Sequence, residues 1–219
     1  MKKVVLFGNS AIAEIAHFYL THDSEYEVSG FTVDAQYATS DTFLGLPLVP
    51  FEEATTTFPP EDHSMLVAIS YTGLNSVRAE KYQLAKDRGY KFITYINSKS
   101  ATWNNPNIGE NCFILEHVTI QPFARIGNNV TIWSGTHIGH HSVIHDNCFI
   151  TSHVVVSGNV EVGRNCFLGV NSTLRDGIRV GDRCIIGAGA QIMKDADEDA
   201  VYSIKAAEKS AIPSHKIRL

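Results

Sequence analysis

The chain has 219 residues, is 44% hydrophobic and 19% charged, and carries a formal net charge of -5. That is a globular composition, long enough for one large domain or two smaller ones. Its mild acidity argues against a nucleic-acid backbone as partner, which would need clustered Lys and Arg, and no apolar run approaches the roughly 20 residues that span a bilayer.

At the amino terminus two lysines precede a short apolar run, residues 4–7. A secretory signal would continue for about 7–15 apolar residues. Gly8-Asn9-Ser10 ends the run instead, so it reads as a buried first strand, and the chain is expected in the cytoplasm. The turn leads into an amphipathic helix through about Leu20. A second strand over 28–33 ends at Asp34, which lies 26 residues after Gly8. Gly45, Pro47, Pro59 and Pro60 place loops around a short helix. A third strand is expected over 65–70, then a helix over 75–88 closed by Gly89 at C′, then a fourth strand over 92–96. Strands alternating with helices imply a small parallel α/β sheet within residues 1–100.

The first turn, Gly8-Asn9-Ser10-Ala11-Ile12-Ala13, has one of the three glycines of a dinucleotide fingerprint, so NAD is not expected. What remains is a strand-to-helix turn whose backbone N–H groups can hold an anion. Asp34, at the carboxyl end of strand two, is placed either to recognise a ribose or base or to cap a loop. Spacing alone does not separate these roles.

From residue 108 the pattern changes to a period of six. Fifteen positions sampled from Ile108 to Ile192 are all Ile, Val or Leu, in a chain under half hydrophobic. The position four after each is small or β-branched, and Cys112, Cys148, Cys166 and Cys184 all fall there. A buried free cysteine behaves as a small hydrophobe, so these four are assigned to the core and not to disulfides, metal or catalysis. Each hexad forms one flat side of a prism, three make an 18-residue coil, and successive coils pair as parallel strands. The fourteen hexads of 108–191 give about 4.7 coils, roughly 22 Å tall.

A small Rossmann-like domain followed by an unbroken hexapeptide repeat resembles the bacterial sialic acid O-acetyltransferases and the N-acetyltransferases of nucleotide-linked aminosugars. The resemblance rests on the Val4–Gly8 turn, on Gly30-Phe31-Thr32-Val33-Asp34, on Val67-Ala68-Ile69-Ser70 followed by Asn75 and Arg78, and on the hexads. It implies a left-handed β-helix, a homotrimer, a role in surface-glycan (O-antigen type) biosynthesis, and acetyl-CoA as co-substrate bound along the β-helix of residues 101–219. It further implies that Gly8, Asn9, Ser10, Asp34, Ser70 and Asn75 contact a sugar nucleotide, and that Ser152, Gly158, Gly169, Gly187, Ala188 and Lys205 contact acetyl-CoA. The family's catalytic histidine, flanked by acids, aligns with His140. Here its neighbours are Gly139 and His141, so the usual orienting carboxylate is missing and His141 is the candidate support. The tail also departs, with Ser203-Ile204-Lys205-Ala206-Ala207 where relatives carry a Gly-Asn-Pro-Ala-like turn.

Acyl transfer from a thioester starts from an activated donor, so no metal is required. The base need only take a proton from the nucleophile, and an imidazole with an ordinary pKa of about 6.5 suits that task. An amine attacks more readily than a hydroxyl, so a histidine without acidic neighbours fits a 4-amino-4,6-dideoxy sugar better than the sialic-acid type of acceptor. Tyr71, Trp103 and Trp133 either line an acceptor pocket or pack in the core.

Two other classes compete with this reading. A γ-carbonic-anhydrase-like zinc site needs three histidines. His117 and His153 have the family's 36-residue spacing but position 158 is Gly, and His140 and His145 have its five-residue spacing but position 104 is Asn. A non-catalytic trimeric module would bind no acyl-CoA.

Overall fold

The computed structural model describes residues 2–103 and 106–217; Asn104, invoked against the zinc triad, lies outside them. β1 (Lys2–Phe7) is the spine of the first sheet, its last four residues buried. β2 (Tyr26–Val33) and β5 (Ser64–Val67) flank it in parallel; with β3 (Thr42–Phe43), β4 (Leu46–Pro50) and β6 (Lys91–Phe92) the full strand order is β3-β4-β2-β1-β5-β6. α1 (Ala11–His22) lays Ala13, Ala16 and Leu20 against this sheet, the stripe expected of a surface helix. α3 (Ser76–Asp87) follows β5, and Gly89 behind it has φ +88°, as a C′ glycine should.

Two elements differ from expectation. The proline-bearing stretch contains β3 (Thr42–Phe43) and β4 (Leu46–Pro50) before the short α2 (Ala54–Thr57). Proline hides such strands in a sequence, but at the rim of a sheet a missing N–H breaks few ladder bonds. The expected fourth strand is split. β6 (Lys91–Phe92) joins β5, whereas β7 (Tyr95–Ile96) pairs with Phe113–Ile114 and belongs to the second sheet system.

That system is a prism of three parallel sheets in which residue i pairs with i+18, except that Ile185–Ile186 pair with Val201–Tyr202 at i+16. The docking face has seven strands, from β7 to Val201–Tyr202, so it outruns the hexads at both ends. The second face runs from Thr119–Ile120 to Gln191–Ile192, and the third from Asn107–Ile108 to Arg179–Val180. The sixfold aliphatics from Ile114 to Ile192 are all buried in one core. The corners carry a second code. Every sixth residue from Asn111 to Gly189 has positive φ, and nine of these fourteen are Asn or Gly, the types that accept the left-handed conformation most readily.

All four cysteines are free and buried. Each thiol donates to a carbonyl on the next coil, Cys148 Sγ to Gly163 O at 3.0 Å for example. Ser142 and Thr136 do the same with their hydroxyls. Burial pushes the Cys112 thiol up to about 12, so it stays protonated and inert.

The α/β sheet sits on the docking face and the two edges that bound it. Arg78 is its clamp. Fully buried, it donates from Nη2 to the carbonyls of Asn129, Asn147 and Cys148 at 2.9–3.1 Å and from Nε to Asn129 Oδ1. Burial lowers its pKa to about 10, so the guanidinium remains charged at neutral pH, satisfied by carbonyl dipoles. Along the same edge Asn111 donates to Asn129 and Asn129 to Asn147, a ladder of side-chain amides.

Candidate active site

The edge between the second and third faces lies opposite the docking face. Among the described residues no hydrogen bond or ion pair joins it to the α/β sheet. His140 and His141 stand on this edge, both exposed. Residue 141 takes the left-handed corner with φ +59°, which turns the two imidazoles toward each other; their Nδ1 atoms are 3.2 Å apart. One Nδ1 must therefore donate and the other accept. The His140 backbone N–H is capped by Gln121 Oε1 at 2.9 Å, a contact the sequence did not suggest.

One coil further on lies Gly158, buried beneath the His140 ring. A Cβ there would stand 2.7 Å from His140 Nε2, 2.6 Å from its Cε1 and 2.8 Å from Asp176 Oδ1. The glycine thus makes room for the imidazole, and its own N–H donates to nothing among the described residues. Beside this edge a groove of about 820 Å³ is lined by Trp103, Gln121, Phe123, Arg125 and His141. Phe123 is 73% exposed with φ +68° and its ring meets His141 at 4.7 Å. A bulky residue in that conformation is strained.

The remaining expected acetyl-CoA contacts are elsewhere. Ser152, Gly169, Gly187 and Ala188 follow one another up the edge between the docking and second faces. Packing alone accounts for two of them, since a Cβ on Gly169 would meet Ala188 N at 2.6 Å and one on Gly187 would meet Tyr202 O at 2.8 Å. Lys205 is exposed in the tail and pairs with Glu208. The structure therefore groups Gly158 with His140 and separates both from the other four β-helix positions.

In the α/β domain the turn Gly8-Asn9-Ser10, Asp34 and Ser70 follow the carboxyl ends of β1, β2 and β5, the crevice where open parallel sheets bind ligands. Asn9 Nδ2 donates to Tyr37 O at 3.0 Å. Asp34 is paired with Lys81 Nζ at 2.8 Å, a cation on α3 that no motif announced. Burial opposes its charge, but hydrogen bonds to Asp34 and Glu80 hold the ammonium above its ordinary pKa. Asn75 is corrected. It is fully buried, its amide donates to Asn165 O and Cys166 O and its Oδ1 accepts from Arg78, so it locks the two parts of the chain together and has no free atom for substrate. Tyr71 packs on Phe149 and Phe167 at the same seam. Trp133 is half-buried against the α1 core, and Trp103 alone of the three aromatics reaches the groove beside His141.

Among the described residues no three His, Cys, Asp or Glu side chains converge as a metal site, and no helix is long and apolar enough to cross a membrane.

Residues 105–175 match the family described as bacterial transferase hexapeptide (six repeats), and residues 159–194 match the hexapeptide repeat of succinyl-transferase. Solved structures share the fold over both parts of the chain. A histidine-to-asparagine mutant of perosamine N-acetyltransferase from Caulobacter crescentus, in complex with CoA and GDP-perosamine, is 23% identical with a TM-score of 0.80, covering 91% of this chain and 92% of that one. The acetyltransferase domain of PglB from Neisseria gonorrhoeae FA1090, in complex with acetyl coenzyme A, is 18% identical with a TM-score of 0.79, covering 91% and 95%. WeeI from Acinetobacter baumannii AYE is 16% identical with a TM-score of 0.71, covering 90% and 94%. The eighteen-residue coil is thus built from the repeat that these family models match, and the solved structures share the fold of the whole chain.

Proposed function

We infer that this protein transfers the acetyl group of acetyl-CoA to the amino group of a nucleotide-linked sugar, a 4-amino-4,6-dideoxyhexose in surface-glycan biosynthesis, and works as a cytoplasmic homotrimer. The observation that carries the reading is His140: an imidazole on an open edge, its Nδ1 backed by His141 and its Nε2 facing the gap that Gly158 leaves. The likeness to acetyltransferases whose structures hold CoA, acetyl-CoA and GDP-perosamine supports the choice of donor and acceptor class.

The chemistry follows from these atoms. With Nδ1–H donating to His141 Nδ1, His140 Nε2 is the unprotonated nitrogen and serves as general base. The acceptor nitrogen attacks the thioester carbonyl carbon, and as the C–N bond forms its proton passes to Nε2. The N–H of Gly158, which donates to nothing among the described residues, is free to serve the developing oxyanion. When the C–S bond breaks, the imidazolium returns its proton to the CoA sulfur. His141 takes the supporting part that a carboxylate plays beside the histidine in the resembling family. The turn at Gly8-Asn9-Ser10, with Lys81 and Asp34, is suited to the acceptor's phosphates and ribose.

Thiol release from acetyl-CoA, measured against UDP-, dTDP- and GDP-linked 4-amino-4,6-dideoxyhexoses, tests the assignment. At least one should be turned over, and His140→Ala should lower kcat by about 10²–10⁴. Turnover of hydroxyl sugars only would replace the amine acceptor, and an unchanged rate in His140→Ala would remove the base.

A further inference from the structure

We propose that Asp176 recognises the acceptor's primary amine and makes the site select nitrogen over oxygen; the proposal rests on the amine-acetylating reading above. Asp176 stands two coils beyond His140 on the same edge. Its Oδ1 and His140 Nε2 both overhang Gly158, 2.8 and 2.7 Å from where a Cβ on that residue would stand, and no hydrogen bond or ion pair joins them.

The carboxylate is also unpaired among the described residues, which sets it apart from its counterparts. Asn128, Asp146 and Asp182 occupy the same place in their hexads, two after the aliphatic. Each accepts a backbone N–H from the coil below: Glu110 N–H to Asn128 Oδ1 at 3.0 Å, Asn128 N–H to Asp146 Oδ1 at 2.7 Å, and Arg164 N–H to Asp182 Oδ1 at 2.7 Å. Asp176 caps nothing, and the adjacent Arg175 is turned to Met193 O at 3.2 Å. An exposed carboxylate with no structural duty, facing a candidate base across a glycine gap, is a site for a ligand group.

Two acceptors that flank one glycine without meeting each other define the chemistry of that group. A primary amine has two N–H bonds to give and one lone pair to attack with. One N–H goes to Nε2, the other to Oδ1, and the lone pair points away from both toward the thioester carbon. A hydroxyl has a single hydrogen, so it leaves one acceptor facing its lone pairs. An acceptor arriving as ammonium loses its third proton to water. As the C–N bond forms, the proton on the His140 side moves to Nε2 and then to the CoA sulfur as the C–S bond breaks. The N–H held by Asp176 remains on the product amide, so Asp176 takes up no proton in the step.

Asp176→Asn and Asp176→Ala test this with the panel of 4-aminosugar nucleotides and their 4-hydroxy counterparts, using acetyl-CoA as donor. With the best amine, kcat/KM should fall about 10- to 100-fold, the effect of losing a hydrogen bond to a charged partner. KM for acetyl-CoA and the melting temperature should be unchanged, and the preference for amine over hydroxyl should narrow. Unchanged amine kcat/KM in both variants overturns the role of Asp176. If the wild-type protein acetylates none of the amines, the underlying reading falls, and the assignment of Asp176 falls with it.

Discussion

Glycine serves two different purposes on this β-helix, and the difference separates catalysis from folding. At Gly139 a Cβ would meet Ser157 C at 2.5 Å, Gly158 N at 2.6 Å and Ser157 O at 2.6 Å, all of them backbone of the next coil. At Gly158 the three nearest atoms would be the outer ends of the His140 and Asp176 side chains. Backbone cannot yield without spreading the coils, whereas an exposed imidazole can swing aside. Gly139→Ala should therefore destabilise the fold by about 1–3 kcal/mol, the usual cost of overpacking. Gly158→Ala should melt near the wild-type temperature and still lose about 10²-fold in kcat, because the base is pushed off line. Thermal melts and steady-state rates on the two variants separate these outcomes; equal loss of stability in both would mean that the gap at Gly158 is only structural.

At the scale of elements, three carboxylates staple the α/β sheet to the β-helix. Asp23 accepts from Tyr95 Oη at 2.7 Å and from Ser98 N–H at 2.9 Å, and Glu116 from Tyr19 Oη at 2.6 Å. Glu110 takes Tyr82 and Lys86. Burial works to raise each of their pKa values, but these hydrogen bonds outweigh it and hold all three below the ordinary range. A carboxyl whose folded pKa is depressed contributes stability that is complete above its unfolded value, about 4, and is lost as the pH falls through the folded value. The melting temperature should thus be flat from pH 7 to about 5 and drop steeply below about 4. Glu116→Gln should lower it by about 2–4 °C at pH 7, the effect of about 1 kcal/mol in a chain of this size, and make the acid limb shallower. An acid limb identical to wild type would remove Glu116 from the staple.

These seams also mark where sequence reading stopped. A period of six is a local signal repeated along the chain, so the β-helix, its core and the place of its cysteines were legible from Ile108 onward. The outward position of His140 followed from the same register. The role of Asn75 and Arg78 did not, because both are polar residues on a helix start, a pattern shared by ligand contacts and interdomain clamps. Only their burial against the carbonyls of residues 129, 147, 148, 165 and 166 decides between them. Asp176 was silent for a related reason: its hexad position is structural in three other coils, and its difference is a missing partner, which no spacing records. The strands within 42–50 were hidden by prolines that a sheet rim tolerates.

At the scale of the whole molecule, the two halves of the proposed site face apart. The α/β sheet binds the docking face and its edges, whereas His140 stands on the edge opposite. If the crevice by Asp34 and Lys81 holds the acceptor's nucleotide, the acceptor reaches His140 most directly when the histidine comes from a neighbouring subunit. A head-to-tail contact of this kind closes into a ring, and three flat-sided prisms complete one. Mixing two inactive proteins tests the arrangement: His140→Ala, and a crevice variant combining Asp34→Ala with Lys81→Ala. Co-expressed in equal amounts, each supplies the half that the other lacks. If every site joins two subunits, about a quarter of the pairings unite both intact halves, so roughly a quarter of the wild-type rate should return. If each site is built within one subunit, no subunit in the mixture carries both halves and no activity returns.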